Sequence, residues 1–211
     1  NSRSNNVDSI RFGTAYYPDH WPEEEWARDL DHIRDLGIQV VRFGEFSWSW
    51  FEPRHEAFDF AAYDRFCDMA HERGLKLMLC TPTATPPPWF LRQFPDCRLI
   101  DVDGVVCKSH RHYWCWNHRA SRKVAENTIR TLVKHYHDHP AVFGWQIDNE
   151  PNYAESDKIY DFNPHALSDF RQWLRDMYKD SLDALNSAWY TNFWSQRYSD
   201  WQEIGLLNPM R

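Results

Sequence analysis

Hydrophobic positions along this chain follow two rhythms that alternate. The stretches "DLGIQVVRF" (35–43) and "ERGLKLMLC" (72–80) share one plan: a charged segment ends, a glycine follows, and then come five or six mostly apolar residues. Gly37 and Gly74 fit the position just past a helix, where the backbone turns left-handed. The apolar runs are too short for helices and read as strands buried on both faces. The segments before them carry a helical period. Trp26, Leu30 and Ile33 share one face of 23–36, and Glu23, Glu24 and Glu25 stand in its first turn, where the helix dipole favours acids. Tyr63, Phe66, Cys67 and Ala70 repeat the pattern in 61–73. A third helix, about 119–138, presents Val124, Thr128, Leu132 and Tyr136 and leads through His139-Pro140 into a strand at 141–147. A strand at 11–16 opens the series, and further helices follow near 164–178 and 181–189.

The predicted order β-α-β-α-β-α-β implies an α/β fold, a parallel sheet with helices outside it. A doubly wound sheet and a (β/α)8 TIM barrel both satisfy that order. No GxGxxG or GxxxxGK[ST] follows any strand, so a nucleotide site lacks its phosphate cradle. The segments after strands are long, with little regular pattern in 81–118, as where a barrel elaborates its active face. Both points favour the barrel. A complete barrel takes about 250 residues, and four or five strands use up this chain, so only about the first half is expected. Residues 1–10 read as an N-terminal extension and 11–211 as the N-terminal part of the barrel domain.

Composition narrows the function classes. A net charge of −7 speaks against a nucleic-acid partner, which would want a basic face. No apolar run approaches the roughly 20 residues of a membrane helix. The opening "NSRSNNVDSI" has no apolar core of a secretory signal. Five cysteines, an odd number without repeated spacing, read as small packing residues and favour a reducing, cytoplasmic compartment over disulfides. The aromatic content is 17%, with 12 tryptophans. Core packing accounts for many of them, but "FSWSWF" (46–51), "HYWCW" (112–116) and "FW" (193–194) fall in segments read as loops. Flat faces beside polar groups suit a ligand with apolar and hydroxylated surfaces, such as a sugar.

Each strand ends in polar residues: Asp19 and His20 after the first, Arg42 and Glu45 at the second, Thr81 and Thr83 after the third, Asn149 and Glu150 after the fourth. Polar groups gathered at one rim are the layout of a barrel active site. Glu150, in "WQIDNE", follows apolar Ile147 and precedes Pro151, so partly desolvated surroundings make it the best general-acid candidate. Asp148 reads as a structural anion held by nearby backbone or a base, and Glu45 is a further carboxylate candidate. Metal readings are weaker. In "HYHDH" only His135 and His139 share a helix face, and a solvated helix end explains them. Cys107 and Cys115 with His110 and His112 lack the CxxC of a zinc site. No GxSxG supports a serine triad.

Several longer blocks converge: "YYPDHWPEEEW" (16–26), "VVRFGEFSWSWFEP" (40–53), "FDFAAYDRF" (58–66), "TPTATPPPWF" (81–90), "HPAVFGWQIDNE" (139–150) and "LNSAWYTNFWSQRYSDWQEI" (185–204). Together they resemble glycoside hydrolase family 42, the β-galactosidases, over about residues 11–208. The resemblance implies a retaining exo-β-galactosidase with no cofactor, a galactoside as substrate and a homo-oligomer, a trimer in the family. It assigns Glu150 as acid/base, Asn149 as the residue bonding the sugar beside the scissile bond, Arg42 as the arginine orienting the nucleophile, and Trp194 as a wall of the galactose pocket. The nucleophile is expected to be a Glu on a seventh strand, downstream of this chain. Where the family usually has an arginine, "SHRHY" has His110, unless Arg111 takes that role. Many members bind zinc through one cysteine before the acid/base and three after it. Nothing after Cys115 is a cysteine, so that site is expected to be absent and the protein to hold no structural zinc. A non-catalytic sugar-binding barrel fragment, or a related β-glycosidase or arabinosidase, is the alternative.

Overall fold

The computed structural model describes residues 10–108, 111, 113–151 and 160–206. Four strands form a parallel sheet in chain order: β1 (Gly13–Ala15), β2 (Val40–Phe43), β3 (Lys76–Cys80) and β4 (Val142–Gln146). Helix α1 (Glu23–Asp35) connects β1 to β2, and α3 (Ala61–Glu72) connects β2 to β3, preceded by a short α2 (Trp48–Phe51). The β3–β4 connection holds α4 (Pro88–Gln93) and α5 (Arg119–Tyr136); α6 (Pro164–Met177) and α7 (Leu182–Trp189) follow β4. Pairing that proceeds in one direction, with a helical crossover at each step, is that of a partial (β/α)8 barrel; a doubly wound sheet reverses its strand order.

The chain forms two compact units, residues Asn1–Trp89 with Ala125–Pro151, and Phe90–Val124 with Asn152–Arg211. The core of the first lies between the sheet and its helices. Val41, Phe43, Leu77 and Leu79 point to the helix side and meet Leu30, Phe66, Ala70, Leu132 and Tyr136, all essentially without solvent contact. Phe66 is the hub: Tyr16 stacks on it at 5.6 Å, while Phe43 and Trp26 meet it edge-on at 5.1 and 5.6 Å. Aromatic pairs of this kind add about 0.5–1.5 kcal/mol each beyond the area they bury. The sheet's other face is less covered than strands buried on both faces would be. An open hollow there is lined by Gly13, Ala15, Val40, Arg42, Met78 and Phe143, and Phe143 is 45% exposed.

The second unit has its own small core of Leu174, Leu185, Trp201 and Ile204. Asn163 and Ser181 cap α6 and α7 through their side chains, accepting from the backbone N–H of His165 and Ala184. The residues proposed as an N-terminal extension, apart from Ile10, lie outside the described residues.

Two helices differ from the sequence reading. Residues 46–51, read as an aromatic loop, contain α2, and its Trp48 and Phe51 are fully buried. Trp48 donates its indole N–H to Glu52 at 2.9 Å, and Thr128 donates to the same carboxylate at 2.6 Å. A four-residue helix is too short to present a period, so only packing reveals it. Helix α4 starts at the last proline of "PPP", a breaker when read as sequence but well suited to a first turn, whose N–H has no partner anyway. Trp114 of "HYWCW" is likewise buried, edge-on to Phe90 at 5.3 Å.

Gly37 and Gly74 take left-handed conformations past α1 and α3, as expected. Gly44 is the more constrained. Its φ is +102°, and a Cβ there would lie 3.1 Å from Leu79 Cδ1 and 3.4 Å from the Cys80 carbonyl oxygen. Only glycine lets β2 turn sharply enough to send Glu45 back beneath the strand end. Gly44→Ala is expected to cost about 1–3 kcal/mol of stability, read as a lower urea midpoint. An unchanged midpoint would mean that the turn relaxes freely.

Candidate active site

The C-terminal ends of β2 and β4 are tied together by one arginine. Arg42 Nη2 pairs with Glu45 Oε1 at 2.8 Å, and Nη1 donates to Gln146 Oε1 at 2.9 Å and to Asn149 Oδ1 at 3.4 Å. Glu45 is fully buried and also accepts from the Tyr17 hydroxyl at 2.9 Å. Gln146 donates its amide to the Asp148 carbonyl and to Asn149 Oδ1, at 2.8 and 3.2 Å. The strand tail is held from below as well. Asp148 N–H donates to Thr81 Oγ1 at 2.7 Å, and Asp148 Oδ1 accepts from Asn149 N–H at 2.8 Å. Side chains from the ends of all four strands therefore meet at one rim, which is where a barrel does its chemistry.

Electrostatics explain why each group sits where it does. A carboxylate without solvent contact is costly unless paired, and Glu45 has both a guanidinium and a phenol. Burial, then the Glu45 hydrogen bond and charge, raise the Tyr17 phenol above its ordinary value, so it stays a neutral donor. Burial and the Glu45 charge push the Cys80 thiol up to about 12, which makes it an inert neighbour. Glu45 is thus engaged on Arg42 and Tyr17, and Asp148 is a structural anion on the backbone, as its sequence reading expects. Glu150 comes next in the chain. It is exposed rather than desolvated, and Ile147, three residues before it, is 82% exposed. Both Asp148 and Glu150 have left-handed backbones, φ 56° and 47°. Strained φ values in non-glycine residues cluster at functional sites.

A family model described as beta-galactosidase, glycoside hydrolase 42, matches residues 15–211. The chain belongs to glycoside hydrolase family 42. It is 42% identical over 202 residues to beta-galactosidase Bga of Halorubrum lacusprofundi, covering 95% of this chain and 28% of the relative. It is 38% identical over 209 residues to beta-galactosidase bgaB of Geobacillus kaustophilus, covering 98% and 30%. The fold matches the crystal structure of a beta-galactosidase from the psychrophilic Marinomonas ef1 with a TM-score of 0.88 at 38% identity, covering 95% of this chain and 30% of that one. The chain thus spans about three-tenths of the length of these family 42 relatives.

Of the residues singled out from the family 42 resemblance, the structure brings Arg42 and Asn149 into contact and sets Glu150 directly after them. Arg111 and Trp194 belong to the second unit. Trp194 is 79% exposed with φ +58°, its ring edge-on to Phe193 at 5.3 Å. His110 and His112 lie outside the described residues. The imidazoles of "HYHDH" do not converge: His135 pairs with Asp64, His137 with Asp138 and His139 with Asp68. Sequence reasoning passed over Gln146 and Tyr17, which complete the Arg42 network. Gln146 was hidden inside an apolar run, although a polar side chain on a strand's last residue is itself a signal. Also passed over were Asp96, His118 and His165, the group of three possible metal ligands that the described residues bring together.

The Arg42–Glu45 pair generates a stability prediction. Arg42→Ala leaves Glu45 buried without its cation and is expected to cost about 2–4 kcal/mol, somewhat less than a fully buried pair because the arginine is partly exposed. Adding Glu45→Gln should recover part of that loss, as a double-mutant cycle by urea unfolding would read. Tyr17→Phe should remove a contribution that the parent loses only at strongly alkaline pH. Folding raises this phenol, so its contribution is complete below the ordinary tyrosine value of 10.0 and is lost as pH rises beyond it. Additive effects of the two substitutions would remove the pair from its supporting role.

Proposed function

We propose that this chain supplies the acid/base half of a retaining exo-β-galactosidase that removes terminal β-D-galactosyl residues. The observation that carries the reading is the Arg42–Asn149 contact at the C-terminal rim of the sheet, with Glu150 the next residue. Glu150 protonates the glycosidic oxygen as it leaves, then takes a proton from the water that releases the sugar. Asn149, held by Arg42 and Gln146, bonds the hydroxyl beside the scissile bond. Arg42 orients the nucleophile. A retaining mechanism needs the second carboxyl about 5–5.5 Å from the first. Glu45 and Asp148 are engaged elsewhere, and the family resemblance implies as nucleophile a glutamate from the part of the family 42 relatives that this chain does not span. The family resemblance assigns Arg111 and Trp194 to the galactose.

Five free cysteines support a cytoplasmic setting, and the acidic net charge supports a sugar rather than a nucleic acid as partner. Among the described residues no helix is long and apolar enough to cross a membrane. Assembly as a trimer rests on the family resemblance alone.

In the enzyme completed by the remaining barrel strands, Glu150→Ala should slow hydrolysis by about 10²–10⁴-fold for poor leaving groups, which need protonation. Activated aryl galactosides should lose much less, and added azide should restore part of their turnover as the galactosyl azide. Equal loss for good and poor leaving groups, without azide rescue, would overturn the assignment.

A further inference from the structure

We propose that Asp96, His118 and His165 form a zinc-binding site that clips together three segments of the second unit. The three come from distant parts of the chain: Asp96 from the 3-10 turn Pro95–Cys97, His118 from the residue before α5, and His165 from the first turn of α6. Their ligand atoms all lie within 4.8 Å of one another. The Nε2 atoms of His118 and His165 stand 3.4 and 3.3 Å from the same oxygen, Asp96 Oδ2. Ligand atoms about 2.0–2.1 Å from a tetrahedral zinc ion are about 3.3 Å apart, so both distances match the edge of that tetrahedron. A charge-assisted hydrogen bond would close to about 2.7–2.9 Å, and the His135–Asp64 pair of this same protein does so at 2.7 Å. His139 also stands 3.3 Å from Asp68, so distance alone does not single out the site. Two imidazoles converging on one carboxylate oxygen do.

The frame around the three side chains is built. Asn163, almost fully buried, donates its amide to the carbonyls of Asp96 and Arg98, at 2.8 and 2.7 Å, and its Oδ1 accepts from His165 N–H at 2.8 Å. One side chain thus fixes the backbone of two ligands. The third is fixed by Ser121: His118 Nδ1 lies 2.8 Å from Ser121 Oγ, whose own hydroxyl donates to the His118 carbonyl at 3.0 Å. In the tautomer that carries its proton on Nδ1, Ser121 Oγ accepts that proton and the Nε2 lone pair faces Asp96. Ligating histidines are usually oriented by such a partner on the other nitrogen. The two rings meet edge-on at 88°, with centroids 4.5 Å apart, so both nitrogens reach one point without the rings stacking. Two imidazoles and one carboxylate suit zinc, with water in the fourth position. Costs are visible too. Ser121 N–H donates to Nδ1 at 3.1 Å, a bond that the metal-binding tautomer gives up, and the starts of two helices disfavour positive charge. Binding should therefore be exchangeable and weaker than at a four-thiolate site.

The reading is independent of the catalytic proposal, and its test does not use activity. Chelator-treated protein is titrated with Zn²⁺ by calorimetry and with Co²⁺ by visible absorption. One ion per chain is expected, with the absorption bands of a four-coordinate nitrogen and oxygen site and a Zn²⁺-dependent rise in Tm. Asp96→Asn and His165→Gln change exposed ends of side chains and should fold normally by circular dichroism. Each should weaken binding by at least tenfold and abolish the Tm rise, whereas Cys107→Ser should change neither. No binding, or binding unaffected by both variants, would overturn the proposal. Thiolate-type Co²⁺ charge-transfer bands lost in Cys107→Ser would overturn it as well, assigning the ion to a cysteine.

Discussion

The rim of this sheet depends on one constraint: Glu45 has no solvent contact and must be neutralised where it sits. Arg42 meets that demand, and in doing so its other guanidinium nitrogen is aimed across β3 at Gln146 and Asn149. The geometry at the end of β4 is therefore set from β2, two strands away. Gly44 belongs to the same constraint, because the turn it permits returns Glu45 beneath its own strand. A buried acid, an arginine and a glycine within four consecutive residues thus fix the position of an amide more than a hundred residues downstream.

The strands and long helices were legible because their physics is local and repeats. A run such as "IQVVRF" after a glycine, or Tyr63, Phe66, Cys67 and Ala70 on one face, announces itself within a dozen residues. Helices α2 and α4 were not legible for opposite reasons. The first is too short to repeat, and the second begins on a proline that reads as a stop. The aromatic clusters misled in part: Trp48 and Trp114 are packing residues, while Trp194 remains outside any core.

At the rim, Glu150, Asn149 and Arg42 were found by their position at strand ends together with the family blocks. Tyr17 and Gln146 were passed over because what identifies them is a partner, and partners 28 or 104 residues apart leave no spacing to read. The trio Asp96, His118 and His165 is a stronger case of the same limit. Each lies alone in sequence, separated by more than twenty residues from the next. "HYHDH", dense in imidazole, disperses onto three different acids. Clustering along the chain and clustering in space are different properties, and ligands need the second.

The left-handed backbones of Asp148 and Glu150 carry a consequence for engineering. Each β-carbon there costs about 1–2 kcal/mol that a glycine would not, so a selection for thermal resistance alone would find substitutions at these positions rewarding. Such a selection would erode the carboxyl that the chain holds out at the end of β4. Heat-resistant libraries of this protein should therefore keep residues 148–150 fixed, and look for stability on the helix side of the sheet instead.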